Sequence, residues 1–366
     1  MRVDGLPRRA IWLEPDGESV GIIDQTLLPH VFETRRLVTA AEAVHAIGTM
    51  QVRGAPLIGA TAAYGLALAL REDAGDAAMA QAAATLAATR PTAVNLAWAL
   101  ERMCRRLGPM ASGERVAAAY AEAAAIVAED VAANAAIGRH GMQLLRAAHS
   151  PGRPVRVLTH CNAGWLATCG WGTALAPIYM AHDAGIEVHV WVDETRPRNQ
   201  GAALTAWELL QHGVPHAVVA DNAGGHLMQR GQVDLVIVGA DRVTATGDVA
   251  NKIGTYLKAL AAHDTGVPFY VAMPSSTIDW RLADGIAGIA IEERHASEVT
   301  VVQGRAADGR VVAVQVTPDG TPAANPAFDV TPARLVTALV TERGVCPASA
   351  AGLSRLFPEA LERAAS

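Results

Sequence analysis

The sequence contains almost no lysine and no long hydrophobic run. Two of its 30 basic residues, Lys252 and Lys258, are lysines, and the other 28 are arginines. No apolar run reaches the ~18 residues that a membrane span needs, and the first residues lack the apolar segment of a signal peptide. The net charge of −6 comes without a basic tract. We therefore expect neither a membrane protein nor a nucleic-acid binder.

Cysteine is also scarce, and its placement excludes the common metal motifs. The four cysteines, Cys104, Cys161, Cys169 and Cys346, form no CxxC pair. Isolated thiols in a long chain are typical of a reducing compartment, so we expect a cytoplasmic protein. The 12 histidines show neither HxH nor HExxH spacing, and the glycines match neither GxGxxG nor a Walker loop. The sequence therefore predicts no metal and no cofactor.

The chain changes pattern near residue 150. Residues 1–149 predict a hairpin with strands at 10–13 and 19–23, and then helices near 40–50, 57–71, 76–88, 93–107 and 113–147. Residues 150–346 alternate short β-branched runs at 155–158, 187–192, 217–220, 235–238 and 269–272 with helical stretches at 166–184, 200–212, 223–231 and 249–265. A further β-branched pair near 311–316 predicts an added edge strand.

These patterns predict an α/β protein of two domains. A mainly helical N-terminal domain with a small β-hairpin element (1–149) is followed by a Rossmann-like parallel-sheet domain (150–346), because strands that alternate with helices form βαβ units. Residues 347–366 predict a peripheral tail helix.

Polar side chains collect where the predicted strands end. Four of the seven asparagines, Asn162, Asn199, Asn222 and Asn251, follow such strands. Ligands of open parallel sheets bind at the carboxyl ends of the strands. The sequence therefore predicts that polar function lies along one edge of the sheet.

The chemistry-bearing residues at these positions each have two interpretations. Cys161 fits a small core residue or a reactive thiol near a helix start. Asp241 fits a helix N-cap or a carboxyl that the apolar approach VIVGA desolvates. The segment 53–56 (RGAP) fits a plain helix start with proline in the first turn or a functional segment. Lys252 fits a surface charge or, in so arginine-rich a chain, a site that needs a compact ammonium group.

Many long segments resemble the methylthioribose-1-phosphate isomerases, sugar isomerases of methionine salvage. The likeness runs in order from about residue 8 to residue 346 and includes DQTLLPH (24–30), VRGAPLIGATAAYGLALA (52–69), RPTAVNLAWALERM (90–103), LTHCNAGWLAT (158–168), VDETRPRNQGAALTAWEL (192–209), DLVIVGADRV (234–243) and GDVANKIGTY (247–256). The resemblance implies a two-domain homodimer that converts 5-methylthioribose 1-phosphate to 5-methylthioribulose 1-phosphate.

The resemblance also implies roles for particular residues. Asp241 corresponds to the catalytic acid and Cys161 to a second catalytic residue. The matching substrate-binding positions are Arg53, Gly54, Ala55, Arg90, Gln200, Asn251 and Lys252. The substrate's phosphate blocks the anomeric oxygen, so the ring must open by protonation of the ring oxygen. Hydrogen then passes from C2 to C1, as a hydride or through an enediolate.

Two other functions fit the same resemblance. A related isomerase would act on 5-deoxyribose 1-phosphate or ribose 1,5-bisphosphate. A non-catalytic binding subunit would resemble the regulatory subunits of the translation-initiation guanine-nucleotide exchange factor, which have a similar fold. The simultaneous presence of Cys161, Asp241 and the RGAP segment favours the enzyme.

Overall fold

The structure is a computed structural model that describes residues 1–360. Five short strands form the beginning of the chain. They are β1 (Arg2–Val3), β2 (Leu6–Pro7), β3 (Ile11–Leu13), β4 (Val20–Ile23) and β5 (Thr34–Leu37). The predicted hairpin is confirmed, since Ile11 pairs with Ile22 across β3 and β4. Strand β5 extends it to a three-stranded antiparallel sheet.

Five helices follow, close to their predicted positions. They are α1 (Ala40–Gly48), α2 (Ala55–Glu72), α3 (Asp76–Ala87), α4 (Val94–Leu107) and α5 (Ser112–Ala148). A capping box of Thr39 and Glu42 begins α1. Helix α2 is buried along most of its length. A Cβ atom at Gly59 would lie 2.7 Å from the Asn95 carbonyl oxygen, so glycine lets α4 pack directly on α2.

The remaining strands belong mostly to a seven-stranded sheet and a smaller four-stranded sheet. They are β6 (Val155–His160), β7 (Val188–Asp193), β8 (His216–Val219), β9 (Leu235–Val238), β10 (Arg242–Thr244), β11 (Val249–Lys252), β12 (Phe269–Ala272), β13 (Ile278–Asp279), β14 (Val301–Arg305), β15 (Val311–Gln315), β16 (Phe328–Thr331), β17 (Ala338–Thr341) and β18 (Gly344–Cys346). The accompanying helices are α6 (Leu175–Asp183), α7 (Ala206–His212), α8 (Ala223–Gln229), α9 (Thr255–Thr265), α10 (Gly285–Gly288), α11 (Ser297–Thr300) and α12 (Ala350–Leu356).

The larger sheet has the order β18-β17-β12-β9-β6-β7-β8. All its pairings are parallel except that of β18 with β17. The predicted α/β class with a parallel sheet is therefore confirmed. The chain proceeds from β6 outward through β7 and β8, and then returns to β9 on the other side of β6. This reversal leaves a crevice at the carboxyl ends of β6 and β9.

Two of the local predictions were wrong. Residues 249–252, predicted as the start of a helix, form β11, and the four-stranded sheet has the order β13-β10-β11-β16. The segment near 311–316 does not extend the large sheet. It pairs with β14 in a separate two-stranded hairpin.

A continuous hydrophobic core links the helices of the first part to the large sheet. It includes Leu66 of α2, Ile126 of α5, Tyr179 of α6 and Val190 of β7. A second core lies on the other side of the sheet and includes Leu353 of α12 and nearby Phe357. The rest of the predicted tail helix, residues 361–366, lies outside the described residues. Among the described helices, none combines the length and apolar character of a membrane span.

Candidate active site

The crevice at the reversal of strand order brings the predicted site residues together. Cys161 directly follows β6, and Asp241 lies three residues after β9. The RGAP segment reaches the same place from the first part of the chain. All nine predicted residues line one cavity: Arg53, Gly54, Ala55, Arg90, Cys161, Gln200, Asp241, Asn251 and Lys252.

Cys161 occupies a turn that interrupts the strand direction. Its φ of 60° lies in the left-handed region, which is uncommon for a residue with a side chain. The backbone N–H donates to the Asp193 carbonyl at 3.2 Å, and Sγ donates to Oε1 of Gln200 at 3.2 Å. Burial raises the pKa of the Cys161 thiol, while Arg53 and Lys252 act in the opposite direction. The balance favours the protonated thiol at neutral pH.

Asp241 is not a helix N-cap, because it precedes strand β10. Its backbone N–H donates to the Ala250 carbonyl at 2.9 Å, which leaves the carboxyl group in the cavity. Burial raises the pKa of this carboxyl, and the nearby cations Arg53, Lys252 and Arg90 oppose the rise. The site therefore favours a carboxyl that keeps its proton at a higher pH than an ordinary aspartate does.

Two arginines place positive charge in the cavity, and each has N–H donors that are not used within the protein. Arg53 is 9% exposed and donates to Oδ1 of Asn162 at 2.5 Å and to its carbonyl at 3.0 Å. Arg90 pairs with Glu292 at 2.8 Å. Each guanidinium also has a buried Nε that makes no hydrogen bond. Since guanidinium donors suit phosphate oxygens, both groups fit an anionic ligand.

Lys252 is a buried site residue, so the surface-charge interpretation was wrong. It is 7% exposed, and its Nζ lies 5.7 Å from the centre of the Phe328 ring. Burial lowers its pKa, and the neighbouring Cys161 and Asp241 counter this effect. Asn251, its neighbour on β11, donates to Oγ1 of Thr255 at 3.0 Å.

The first turn of α2 adds backbone donors to the same cavity. Gly54 precedes the helix with φ of 91°, and a Cβ atom there would lie 2.2 Å from the Ala167 carbonyl oxygen. Only glycine fits this close contact. The first amides of a helix have no partner within it, and the dipole of an 18-residue helix favours an anion at this end.

Two residues that line the cavity were not among the predicted site residues. Arg294 lines the cavity and pairs with Glu292 and Glu298, both at 2.7 Å. Arg294 lies in a stretch without regular periodicity. Only its charged neighbours in the sequence indicated a possible ion-pair cluster. His160 also lines the cavity, and its Nδ1 lies 2.6 Å from Oδ2 of Asp193.

The second lysine, Lys258, contacts the same carboxylate as His160. Nζ of Lys258 lies 2.7 Å from Oδ2 of Asp193, and the lysine is 4% exposed. Both lysines of the chain are thus buried in or next to the cavity. Among the described residues, no group of three or more His, Cys, Asp or Glu side chains has the arrangement of a metal site.

Comparison with known proteins places this chain in a family. The model of the Initiation factor 2 subunit family matches residues 51–348. The curated methylthioribose-1-phosphate isomerase of Rhodospirillum centenum is 67% identical over 100% of this chain and 98% of its own length. The corresponding protein of Methylobacterium nodulans is 67% identical over 98% of this chain and 99% of its own.

The chain belongs to the methylthioribose-1-phosphate isomerase family. Among solved structures, 5-methylthioribose 1-phosphate isomerase from Pyrococcus horikoshii OT3 is similar with a TM-score of 0.82 and 40% identity, covering 97% of this chain and 96% of that one. A structure named translation initiation factor eIF-2B subunit delta, from A. fulgidus, has a TM-score of 0.79 and 39% identity, with coverage of 96% and 99%. This isomerase family and the initiation-factor subunits thus have a common fold.

The raised pKa of Cys161 predicts a pH-dependent alkylation rate. The thiolate is the reactive form, so modification by iodoacetamide should be slow at pH 7 and rise about tenfold per pH unit toward pH 9. Arg53→Met should slow the reaction at each pH, because Arg53 lowers the pKa of Cys161. Peptide mass spectrometry would follow Cys161, with Cys104 as the control that Arg53→Met leaves unchanged. A rate already constant at pH 7 would contradict the prediction.

Proposed function

We propose that this protein converts 5-methylthioribose 1-phosphate to 5-methylthioribulose 1-phosphate, as a methionine-salvage isomerase with Asp241 as its acid and Cys161 as its second catalytic residue. The observation that carries the proposal is the convergence of these two groups with the cationic side chains of Arg53, Arg90 and Lys252 in one cavity. The names of the full-length relatives support the substrate.

The carboxyl of Asp241 suits the ring-opening step. Its proton passes to the ring oxygen while the bond from C1 to that oxygen breaks, which leaves Asp241 as a carboxylate and C1 electron-deficient. Burial raises the pKa of Asp241, so the carboxyl keeps its proton to a higher pH than an ordinary aspartate does, as a general acid requires. The cations that oppose the rise then stabilise the carboxylate that forms.

The phosphate group has a matching set of donors. Arg53, Arg90 and Lys252 supply charge, and the first turn of α2 supplies backbone N–H groups next to Gly54 and Ala55. Gln200 and Asn251 line the cavity and add polar contacts for the sugar hydroxyls. Holding the phosphate on one side of the cavity fixes the position of C1 relative to Asp241.

The raised pKa of Cys161 bears on the hydrogen transfer. An enediolate route needs a base to remove hydrogen from C2, and a protonated thiol is not one. A hydride route moves hydrogen directly from C2 to the electron-deficient C1, while the hydroxyl on C2 passes its proton to the carboxylate left on Asp241 and C2 becomes the ketone carbon. The state of Cys161 therefore favours the hydride route, with the thiol as a polar neighbour of the reacting carbons.

We further propose that the protein is a cytoplasmic homodimer. Its four cysteines are free in the structure, which agrees with a reducing compartment. Large apolar side chains are exposed on helices of the second part, with Leu210 on α7 at 69% and Leu257 on α9 at 62%. Exposed apolar residues on these helices support an interface between copies, away from the strand-end cavity.

Replacing Asp241 with Asn should abolish most turnover and leave substrate binding in place. The amide keeps the shape of the side chain but cannot donate a carboxyl proton, and general acids contribute about 10²–10⁴-fold to rate. Steady-state kinetics and calorimetric binding would measure both effects. Asp234→Asn, at the opposite end of the sheet, is the matched control. A kcat within about tenfold of the parent would reject the acid role.

Cys161 is expected to be the thiol on which activity depends. Cys161→Ser should lower kcat about 10²-fold or more, because Cys161 lines the same cavity as Asp241 and is assigned a catalytic role there. Cys169→Ser is the matched control, since Cys169 is equally buried but does not line the cavity. The substrate should also protect Cys161 from alkylation. Near-parent activity in Cys161→Ser would remove this residue from the mechanism.

Light scattering at micromolar concentration should report twice the mass of one chain. An obligate interface buries about 2,000 Å² or more in total, so Leu257→Glu should shift the protein toward monomers if α9 contributes to it. Leu6→Glu, an equally exposed position in the first part, should have no such effect. Monomers of the parent chain at this concentration would reject the dimer.

A further inference from the structure

A fully buried carboxylate lies behind the cavity, at a position that the mechanism above does not use. Glu208, on α7, is 0% exposed. Its Oε1 accepts from Nδ2 of Asn162 at 2.9 Å and from the Leu166 amide at 3.1 Å. Its Oε2 accepts from the Trp165 amide at 2.8 Å and from the Tyr179 hydroxyl at 2.8 Å. Four donors thus converge on one buried charge.

These contacts continue directly to the proposed phosphate site. Asn162 gives its amide N–H groups to Glu208 and to Oγ1 of Thr205, the latter at 3.0 Å. Its Oδ1 is therefore turned toward Arg53, which donates to it at 2.5 Å. The Thr205 hydroxyl in turn donates to the Cys161 carbonyl at 2.6 Å. One hydrogen-bond network therefore holds both Arg53, from the first part of the chain, and the turn at Cys161, from the second.

We propose that Glu208 is a positioning residue for the isomerisation, which orients the Asn162 amide and through it presents the guanidinium of Arg53 to the substrate phosphate. Glu208 does not line the cavity, so it acts through Asn162 and not by contact with substrate. The inference depends on the proposed function, because it assigns Arg53 to the phosphate.

The local packing is built around this carboxylate. A Cβ atom on Gly164 would lie 2.0 Å from Oε2 of Glu208, so glycine leaves the space that the charge occupies. Two of the four donors are backbone amides of the segment that follows Cys161 and Asn162. A glutamine at this position has one acceptor oxygen instead of two. In either orientation, its NH₂ group would face two of the groups that now donate to Glu208.

The Arg53 guanidinium has donors left for a ligand after these contacts. Two of its five N–H groups are used by Asn162, and its Nε has no hydrogen bond and is buried. The plane of the group is set by the two bonds to Asn162. A change in the Asn162 amide would therefore turn the remaining donors away from the phosphate.

The test compares Glu208→Gln with the parent chain, using 5-methylthioribose 1-phosphate for kinetics and inorganic phosphate for binding. Reorienting Arg53 weakens its hold on the phosphate in the ground state and the transition state alike, while its charge stays in the cavity beside Asp241, so the KM should rise about tenfold and kcat should change less than about threefold. The Kd for inorganic phosphate should rise with the KM. A loss of folded protein alone would lower the apparent kcat and leave the KM unchanged.

Two further variants complete the experiment. Asp234→Asn loses the contacts of a part-buried carboxylate at the far end of the sheet, and it should keep the parent KM. If Glu208→Gln does not fold, Glu208→Asp keeps the charge but withdraws it from Asn162, and it should show the same rise in KM.

The outcomes separate the two proposals. An unchanged KM and phosphate Kd in folded Glu208→Gln or Glu208→Asp would overturn the positioning role. If the parent chain does not turn over the sugar phosphate, the proposed function fails, and the phosphate Kd values alone then decide whether Glu208 orients Arg53.

Discussion

The reversal of strand order between β6 and β9 is the constraint on which the site depends. Parallel strands require crossover connections, so two strands that lead in opposite directions across the sheet leave a gap at their carboxyl ends. Cys161 and Asp241 come from the two sides of that gap, 80 residues apart in the chain. The first part of the chain covers this gap. Arg53, just before α2, and Arg90, between α3 and α4, line the cavity that results.

The cavity balances burial against positive charge. Burial raises the pKa of Cys161 and Asp241 and lowers that of Lys252, so it favours the neutral form of all three groups. The arginines remain charged at any relevant pH. A dianionic phosphate bound to them would cancel part of their field at Asp241. Substrate binding would therefore raise the pKa of the acid further and help it to keep its proton until the ring opens.

Sequence reasoning found the residues that follow strands and missed those that act across the fold. Cys161 and Asp241 could be placed together because the strand-end rule needs only the order of local elements. Strand β11 was mistaken for a helix, because its four residues are stabilised by pairing with β16, 76 positions or more away. Glu208 lies in a short helix, where a carboxylate normally faces solvent. Its burial depends on tertiary packing that no local pattern records.

The distribution of amines has a consequence for chemical labelling. Because both lysines are buried at or behind the cavity, the folded protein offers amine-reactive reagents no exposed lysine side chain. Acylation of Lys258, which is held against Asp193, requires the sheet and α9 to separate. Its extent thus reports on opening of the fold around the cavity, without any added probe or mutation.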